Sequence, residues 1–184
     1  MAMEAMRRRL VEQNPGDFRF QPTSGPIRGE VERIHVGQTF KSREELTQTR
    51  VHIPHIQGIH GTMEDGAYSI VLSGKYEDRD QGDFIIYTGT GGQADGYGNG
   101  PQVKDQTFDH PMNGSLCRSK EIGGLVRVIR GSHIGSKYAP VSGYRYDGLY
   151  TVTKHYMSKG QSGHQVCLFE LKRKPGYPPI PTRW

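Results

Sequence analysis

Glycine sets the first constraint on this chain. Its two most strand-like runs, Tyr68–Leu72 and Asp83–Thr88, are hemmed in by Gly66, Gly74, Gly82, Gly89, Gly91 and Gly92. Short β-branched and aromatic runs between glycines read as strands joined by tight turns. Tyr68, Ile70 and Leu72 alternate with Ala67, Ser69 and Val71, the two-residue period of a strand. Val126–Arg130, Leu149–Met157 and Gln165–Lys172 are further strand candidates. Glycine (25) and proline (11) make up about a fifth of the 184 residues, which excludes a helical bundle. Many short strands with few helices predict an α+β, mainly β fold, a compact twisted barrel or sandwich.

The helices expected are short. Ser42-Arg43-Glu44-Glu45 reads as a capping box and predicts a helix over about 43–49. Residues 1–14 place Met3, Met6 and Leu10 on one side of a short helix, and Pro15, Pro22 and Pro26 mark a loop after it. The chain thus divides into a partly helical extension (1–24), a domain (25–174) and a proline-rich extended tail (175–184) ending at the single tryptophan, Trp184. No apolar run approaches the ~18 residues of a membrane helix, and the basic N-terminus lacks the apolar core of a signal peptide. Cys117 and Cys167 are too few for a disulfide scaffold or an all-cysteine zinc site, so a reduced intracellular monomer is expected.

Net charge is +5, unevenly placed. Residues 64–109 carry three basic and nine acidic groups; residues 118–174 carry eleven basic and three acidic. The basic block suggests a phosphate-facing surface, with Arg118, Lys120, Arg127, Arg130, Lys137 and Arg145 as candidates and Ser132 and Ser136 supplying hydroxyls.

The chemistry concentrates around the first two strands. Tyr76 follows one and Tyr87 ends the other, with Glu77, Asp78 and Asp80 between them. If these strands pair as a hairpin, both rings and a carboxylate meet at one end of the sheet. Two rings, a carboxylate and glycine-bared backbone make a pocket for an extruded base. Stacking of about 1–3 kcal/mol per ring offsets an unstacking cost of a few kcal/mol. A carboxylate accepts from the cytosine N4 amine, where thymine presents an acceptor instead. Spacing alone leaves both Asp78 and Asp80 as the pocket acid.

Two rival chemistries fit the residues less well. His52, His55, His60 and Asp65 cluster, but the spacing is not that of helical metal ligands and a proline interrupts it, so no metal or other cofactor is expected. Glu170-x-Lys172 with Asp147 has the residue types of a magnesium nuclease, but an alternating charged strand explains Glu170 and Lys172, so the chain is expected not to be an enzyme.

A series of ordered blocks then identifies a relationship. They are Gly25-Pro26-Ile27-x-Gly29, Val51-His52-x-Pro54-His55-x-x-Gly58-Ile59-His60-Gly61, Asp65–Leu72, Tyr76-Glu77-Asp78, Tyr87-Thr88-Gly89-x-Gly91-Gly92, Asp105-Gln106, Val126–Arg130, Lys137-Tyr138-Ala139-Pro140 and Tyr144-Arg145-Tyr146-Asp147-Gly148-Leu149-Tyr150. From about Gly25 to Arg173 the chain resembles the SRA (SET- and RING-associated, or YDG) domain. The resemblance implies a PUA-like curved β-barrel with flanking short helices. It also implies binding of double-stranded DNA with a modified cytosine flipped from the stack, 5-methylcytosine foremost. Hydroxymethylcytosine, another modified base, or a role as the DNA-recognition part of a modification-dependent nuclease are the alternatives.

On this chain the resemblance implies stacking by Tyr76 and Tyr87, contacts from Ser73, Gly74, Lys75, Thr88 and Gly89, and Asp78 as the acid, with Asp80 the alternative. It implies a gap-filling loop at His55-Ile56-Gln57 and an opposing loop near Gly96–Gln102, with Asn99 at its tip and no arginine there. Arg118, Arg130, Ser132 and Lys137 are the phosphate contacts to test first. Implied surroundings are chromatin or nuclease partner proteins, no membrane, and the nucleus in a eukaryote or the cytoplasm otherwise.

Overall fold

The computed structural model describes residues 25–94 and 100–184; the helix expected over residues 1–14 and Asn99 lie outside them. One sheet forms the frame. Its strands are β1 (Thr39–Phe40), β2 (Ile59–Thr62), β3 (Gly66–Leu72), β4 (Arg79–Asp80), β5 (Phe84–Thr88), β6 (Leu125–Gly131), β7 (Tyr144–Lys159) and β8 (Gln165–Arg173). The order is β2-β3-β6-β7-β8-β5-β4, with β1 added to β7. Only the β3–β6 pairing is parallel among the described strands. The path runs from β2 to β4 without these end strands pairing, so the mainly β fold is as expected while the sheet is not closed into a barrel.

The expected hairpin between the first two strand runs does not form. β3 pairs with β2 and β6, whereas β5 pairs with β4 and β8. The reason lies in burial: every residue of β3 is buried, so this strand needs cover on both faces and takes a central place. Ile70 and Leu72 join Val126, Val128 and Phe169 in one core, while Val71 joins Phe40, Leu46, Ile129 and Tyr146 in a second.

Among the described residues two helices flank the sheet. α1 (Arg43–Gln48) starts where the capping box places it: the Glu45 amide donates to Ser42 Oγ at 3.3 Å, and Glu45 Oε2 accepts from the Lys41 amide at 2.6 Å. α2 (Pro111–Ile122) is a helix the sequence reading missed. His110 caps it, Pro111 stands in its first turn, and Gly123 ends it at φ 63°. Its buried side is mostly small and polar, with Asn113, Gly114, Ser115 and Ser119 around one core leucine, Leu116. That side lets α2 sit close to β2 and β3, where Ser119 Oγ accepts from the Ala67 amide at 2.8 Å.

The Tyr-Asp-Gly block turns out to be internal scaffolding. Asp147 accepts from Arg130 at 3.0 Å and from Arg145 at 2.6 Å, all three being buried. Tyr150 Oη donates to the Gly82 carbonyl at 2.7 Å. Gly148 takes φ 106° with the Tyr177 ring pressed against it, where a Cβ would stand 2.8 Å from that ring.

The tail has no helix or strand, as expected, yet it is docked. Ile180 is buried, and Tyr177 Oη donates to Glu30 at 2.6 Å. No helix among the described residues is long and apolar enough to cross a membrane.

Candidate nucleic-acid interface

The two tyrosines meet by a route other than the expected hairpin. After β3 the chain turns through residues 73–78 and returns as β4, which pairs Arg79 with Ile86 and Asp80 with Ile85. This brings Asp78 alongside the end of β5, where the Thr88 amide donates to its Oδ1 at 2.7 Å. Asp80 points elsewhere. It takes a two-point grip from Arg130, 2.7 and 2.8 Å, and accepts from Ser136 Oγ at 2.7 Å and the Gly82 amide at 3.0 Å. Of the two acids left open by spacing, Asp78 is therefore the one with an oxygen to offer a ligand.

Their electrostatics divide in the same way. Burial pushes the Asp78 carboxyl up to about 7 against the pull of the Thr88 hydrogen bond, with the Asp80 charge adding to the rise. Burial also acts on Asp80, but the hydrogen bonds and charge of Arg130, then Ser136, hold it below the usual carboxylate range. The buried Thr88 hydroxyl lies beside Asp78 and, with the Thr88 amide, works against the rise of the Asp78 carboxyl.

Three cavities open around this turn. The largest, about 680 Å³, joins the predicted gap-filling residues His55, Ile56 and Gln57 to Ser73, Lys75, Tyr76 and Tyr87. A second, about 250 Å³, is lined by Gly74, Tyr76, Asp78 and the loop His133–Ser136. A third, about 490 Å³, has Lys75, Tyr76, Glu77, Thr88 and Gly100–Gln102 on its walls. Tyr76, half-buried, borders all three. Tyr87 is buried and donates to the Val71 carbonyl at 3.3 Å, which fixes its ring at the wall of the largest cavity.

The loop expected to fill the gap, His55-Ile56-Gln57, is anchored through its backbone. Arg43 donates to the Ile56 and Gln57 carbonyls at 2.7 and 3.0 Å, and Thr47 to the Ile53 carbonyl at 2.8 Å. His52 is buried, with Nδ1 on Ser69 Oγ at 2.7 Å and Nε2 on the Gln57 carbonyl at 2.8 Å. Desolvation brings its pKa down to about 3, so it is neutral, and both ring nitrogens serve the loop. Gly58 lies so close to Tyr87 that a Cβ would stand 2.8 Å from the phenol oxygen. With its carbonyls held, the loop presents Ile56 outward at 60% exposure, as a wedge must be.

Several residues the sequence reading missed hold this site. Arg43 is the most informative: it lines the largest cavity, and its Nη1 is buried with no hydrogen-bond partner. Its only signal was a place inside the α1 capping box. Asn113 bonds both the amide and the carbonyl of Thr90, and Gln106 ties the Gly89 carbonyl to the Cys167 amide. Gly89 must be glycine here, since a Cβ would lie 2.6 Å from Asn113 Oδ1.

The phosphate candidates need correction. Arg130 is buried in its grip on Asp80 and Asp147, and Arg127 and Arg145 are buried too, so none reaches a phosphate. Arg127 bonds the Ile27, Gly29 and Val51 carbonyls instead. The +8 of residues 118–174 is thus partly core charge, not surface charge. Arg118 is accessible but sits on α2, bonded to Glu121 and the Glu64 carbonyl and bordering none of the three cavities. Ser132 and Lys137 are exposed on the loop beside the second cavity, Lys137 lying over the Tyr138 ring at 5.2 Å. The nuclease residues do not assemble: Asp147 is taken by two arginines, while Glu170 faces Lys154 at 3.8 Å.

Comparison with known proteins agrees with this architecture. The SAD/SRA domain family model matches residues 27–177, so the chain belongs to the SAD/SRA domain family. A UHRF1-like protein of Cryptococcus neoformans var. grubii is 42% identical over 165 residues, which span 84% of this chain and 48% of that protein. The modification-dependent TagI restriction endonuclease superposes with a TM-score of 0.79 at 39% identity, covering 84% of this chain and 54% of the endonuclease. The SUVH5 SRA domain, solved with fully hydroxymethylated and with fully methylated CG DNA, superposes at TM-scores of 0.72 and 0.70 with 38% and 37% identity; each match covers 84% of this chain and 99% of that domain. The chain spans about half the length of the first two relatives.

Proposed function

We propose that this chain is a reader of modified cytosine in double-stranded DNA, and that it flips 5-methylcytosine out of the helix. The observation that carries the reading is the joining of Tyr76 and Tyr87 with the outward-facing Ile56 around one cavity, with Tyr76 and Asp78 together lining a second. In the proposed complex the base stacks on the two rings, its amine donates to Asp78, and Ile56 and Gln57 fill the vacated place. Arg43, Lys75 and Lys137 face the backbone phosphates. The role is binding without catalysis; the acids that would suit a metal nuclease are already paired within the fold. In a eukaryote such a reader works in the nucleus, alongside chromatin proteins or a nuclease.

Fluorescence anisotropy on matched 12-mer duplexes tests this. Unmodified, hemi-methylated, fully methylated and hydroxymethylated central CG sites are titrated at two salt concentrations. The methylated duplexes bind more tightly than the unmodified one, and Tyr76→Ala and Asp78→Ala abolish the difference while leaving weak, salt-sensitive binding. Equal binding to all four duplexes overturns the reading. The hydroxymethylated duplex has its own arm because a structural relative was solved with that base.

A further inference from the structure

The tail beyond the family match reaches back to the recognition turn. Between the end of β6 at Gly131 and the start of β7 at Tyr144, residues 132–143 form an excursion without helix or strand. Its tip touches the recognition turn at both ends. His133 packs so tightly on Gly74 that a Cβ there would lie 2.7 Å from the ring, and Ser136 Oγ donates to Asp80 at 2.7 Å. Between those two points the tip walls the cavity that holds Asp78. From the outer side, Arg183 bonds this tip three times. Its guanidinium donates to the His133 carbonyl and, at 3.1 Å, to the Ser136 carbonyl, and its amide donates to the Lys137 carbonyl at 2.9 Å.

We infer that Arg183 is a positioning residue for base recognition, clamping the 133–137 tip against the turn that carries Tyr76 and Asp78. The inference rests on the reader function proposed above. Both side-chain bonds leave from Nη2, and the planar, stiff guanidinium fixes that nitrogen between the two carbonyls, which a lysine ammonium on a flexible stem does not reproduce. A base pocket tolerates little looseness in its supporting groups, and two of the turn's supports, His133 and Ser136, are anchored by this one side chain. Arg183 lies beyond residue 177, where the family match ends.

The test uses the full chain with Arg183→Ala and Arg183→Lys. Both variants lose about tenfold in affinity for the methylated duplex. Binding to the unmodified duplex and its salt dependence stay unchanged, and Tm moves by no more than about 2 °C. In the free protein, amide hydrogen exchange speeds up at residues 133–139. Full rescue by lysine overturns the clamp, because the side chain then acts as a charge on phosphate. Unchanged exchange at 133–139 overturns it as well. If the wild type itself does not distinguish the duplexes, the reader function fails, and the exchange measurement alone decides whether the clamp exists.

Discussion

One turn carries two regions with opposite characters. Residues 73–78 line cavities, and Asp78 meets them with a carboxyl that burial has made easy to protonate. Residues 79–82 are bolted down: β4 pairs with β5, Asp80 is gripped by Arg130, and the Gly82 carbonyl accepts from both Arg130 and Tyr150. The bolted half holds the open half against Thr88. The proposed base pocket therefore draws its rigidity from ion pairs just behind it, and Asp78 can be left under-satisfied because Asp80 is not.

The largest effect comes from breaking the bolted half. Asp80→Ala leaves Arg130 buried with Asp147 as its remaining carboxylate. Removing one partner of a buried pair costs about 3–5 kcal/mol, so chemical denaturation should show a loss of that order. Asp78→Ala, two residues away, removes a charge the fold disfavours and should leave the midpoint at or above that of the wild type. Equal losses in the two variants would erase the distinction between the halves.

A second prediction extends the comparison to the proposed gap-filling loop, which is also anchored behind and open in front. Ile56→Ala shortens a side chain that is 60% exposed in the free protein, so stability is little changed. In the proposed complex that side chain is buried in the stack. At about 0.8 kcal/mol per lost carbon, affinity for the methylated duplex falls by roughly tenfold or more. Arg43→Ala tests the anchor itself, and should weaken binding through the Ile56 and Gln57 carbonyls it holds. A large stability loss in Ile56→Ala would mean that the loop is packed inward rather than poised.

What the sequence made legible were local features and ordered motifs. The strands at Tyr68–Leu72 and Asp83–Thr88 show in their β-branched and aromatic content, and the α1 cap in four consecutive residues. Tyr76, Tyr87 and Ile56 could be placed because the family blocks carry them. Properties set by distant partners were hidden. Arg130 reads as a surface cation until Asp80, fifty residues earlier in the chain, is seen to face it. The β3–β5 hairpin was inferred from adjacency, but β5 finds its partner in β8, with Tyr87 opposite Phe169. α2 escaped notice because Leu116 is the one large apolar residue fully buried on it, and the rest of its buried side is Asn, Gly and Ser, of which Asn113 and Ser119 satisfy backbone groups of other segments.

The smallest effect sharpens the comparison through pH. Asp78 titrates near the usual value of about 3.9 when unfolded, and burial moves it to about 7 when folded. A raised carboxyl pKa means the folded state holds the proton more tightly, so this group's contribution to stability falls as pH rises from about 4 to 7. Asp78→Asn lacks that titration, and its stability relative to the wild type should climb across the same window and then level off. Binding has the opposite sign. A cytosine amine donating to Asp78 favours the ionised form, so binding releases a proton, and affinity for the methylated duplex rises from pH 6 to pH 8. The gain is capped at about tenfold, because the ionised fraction of a group titrating near 7 goes from roughly a tenth to nine tenths over that range. In Asp78→Asn the slope disappears. Asp80, held below the usual carboxylate range by Arg130 after burial's upward push, stays ionised throughout and adds no slope of its own. A flat wild-type profile would show that Asp78 does not accept from the base.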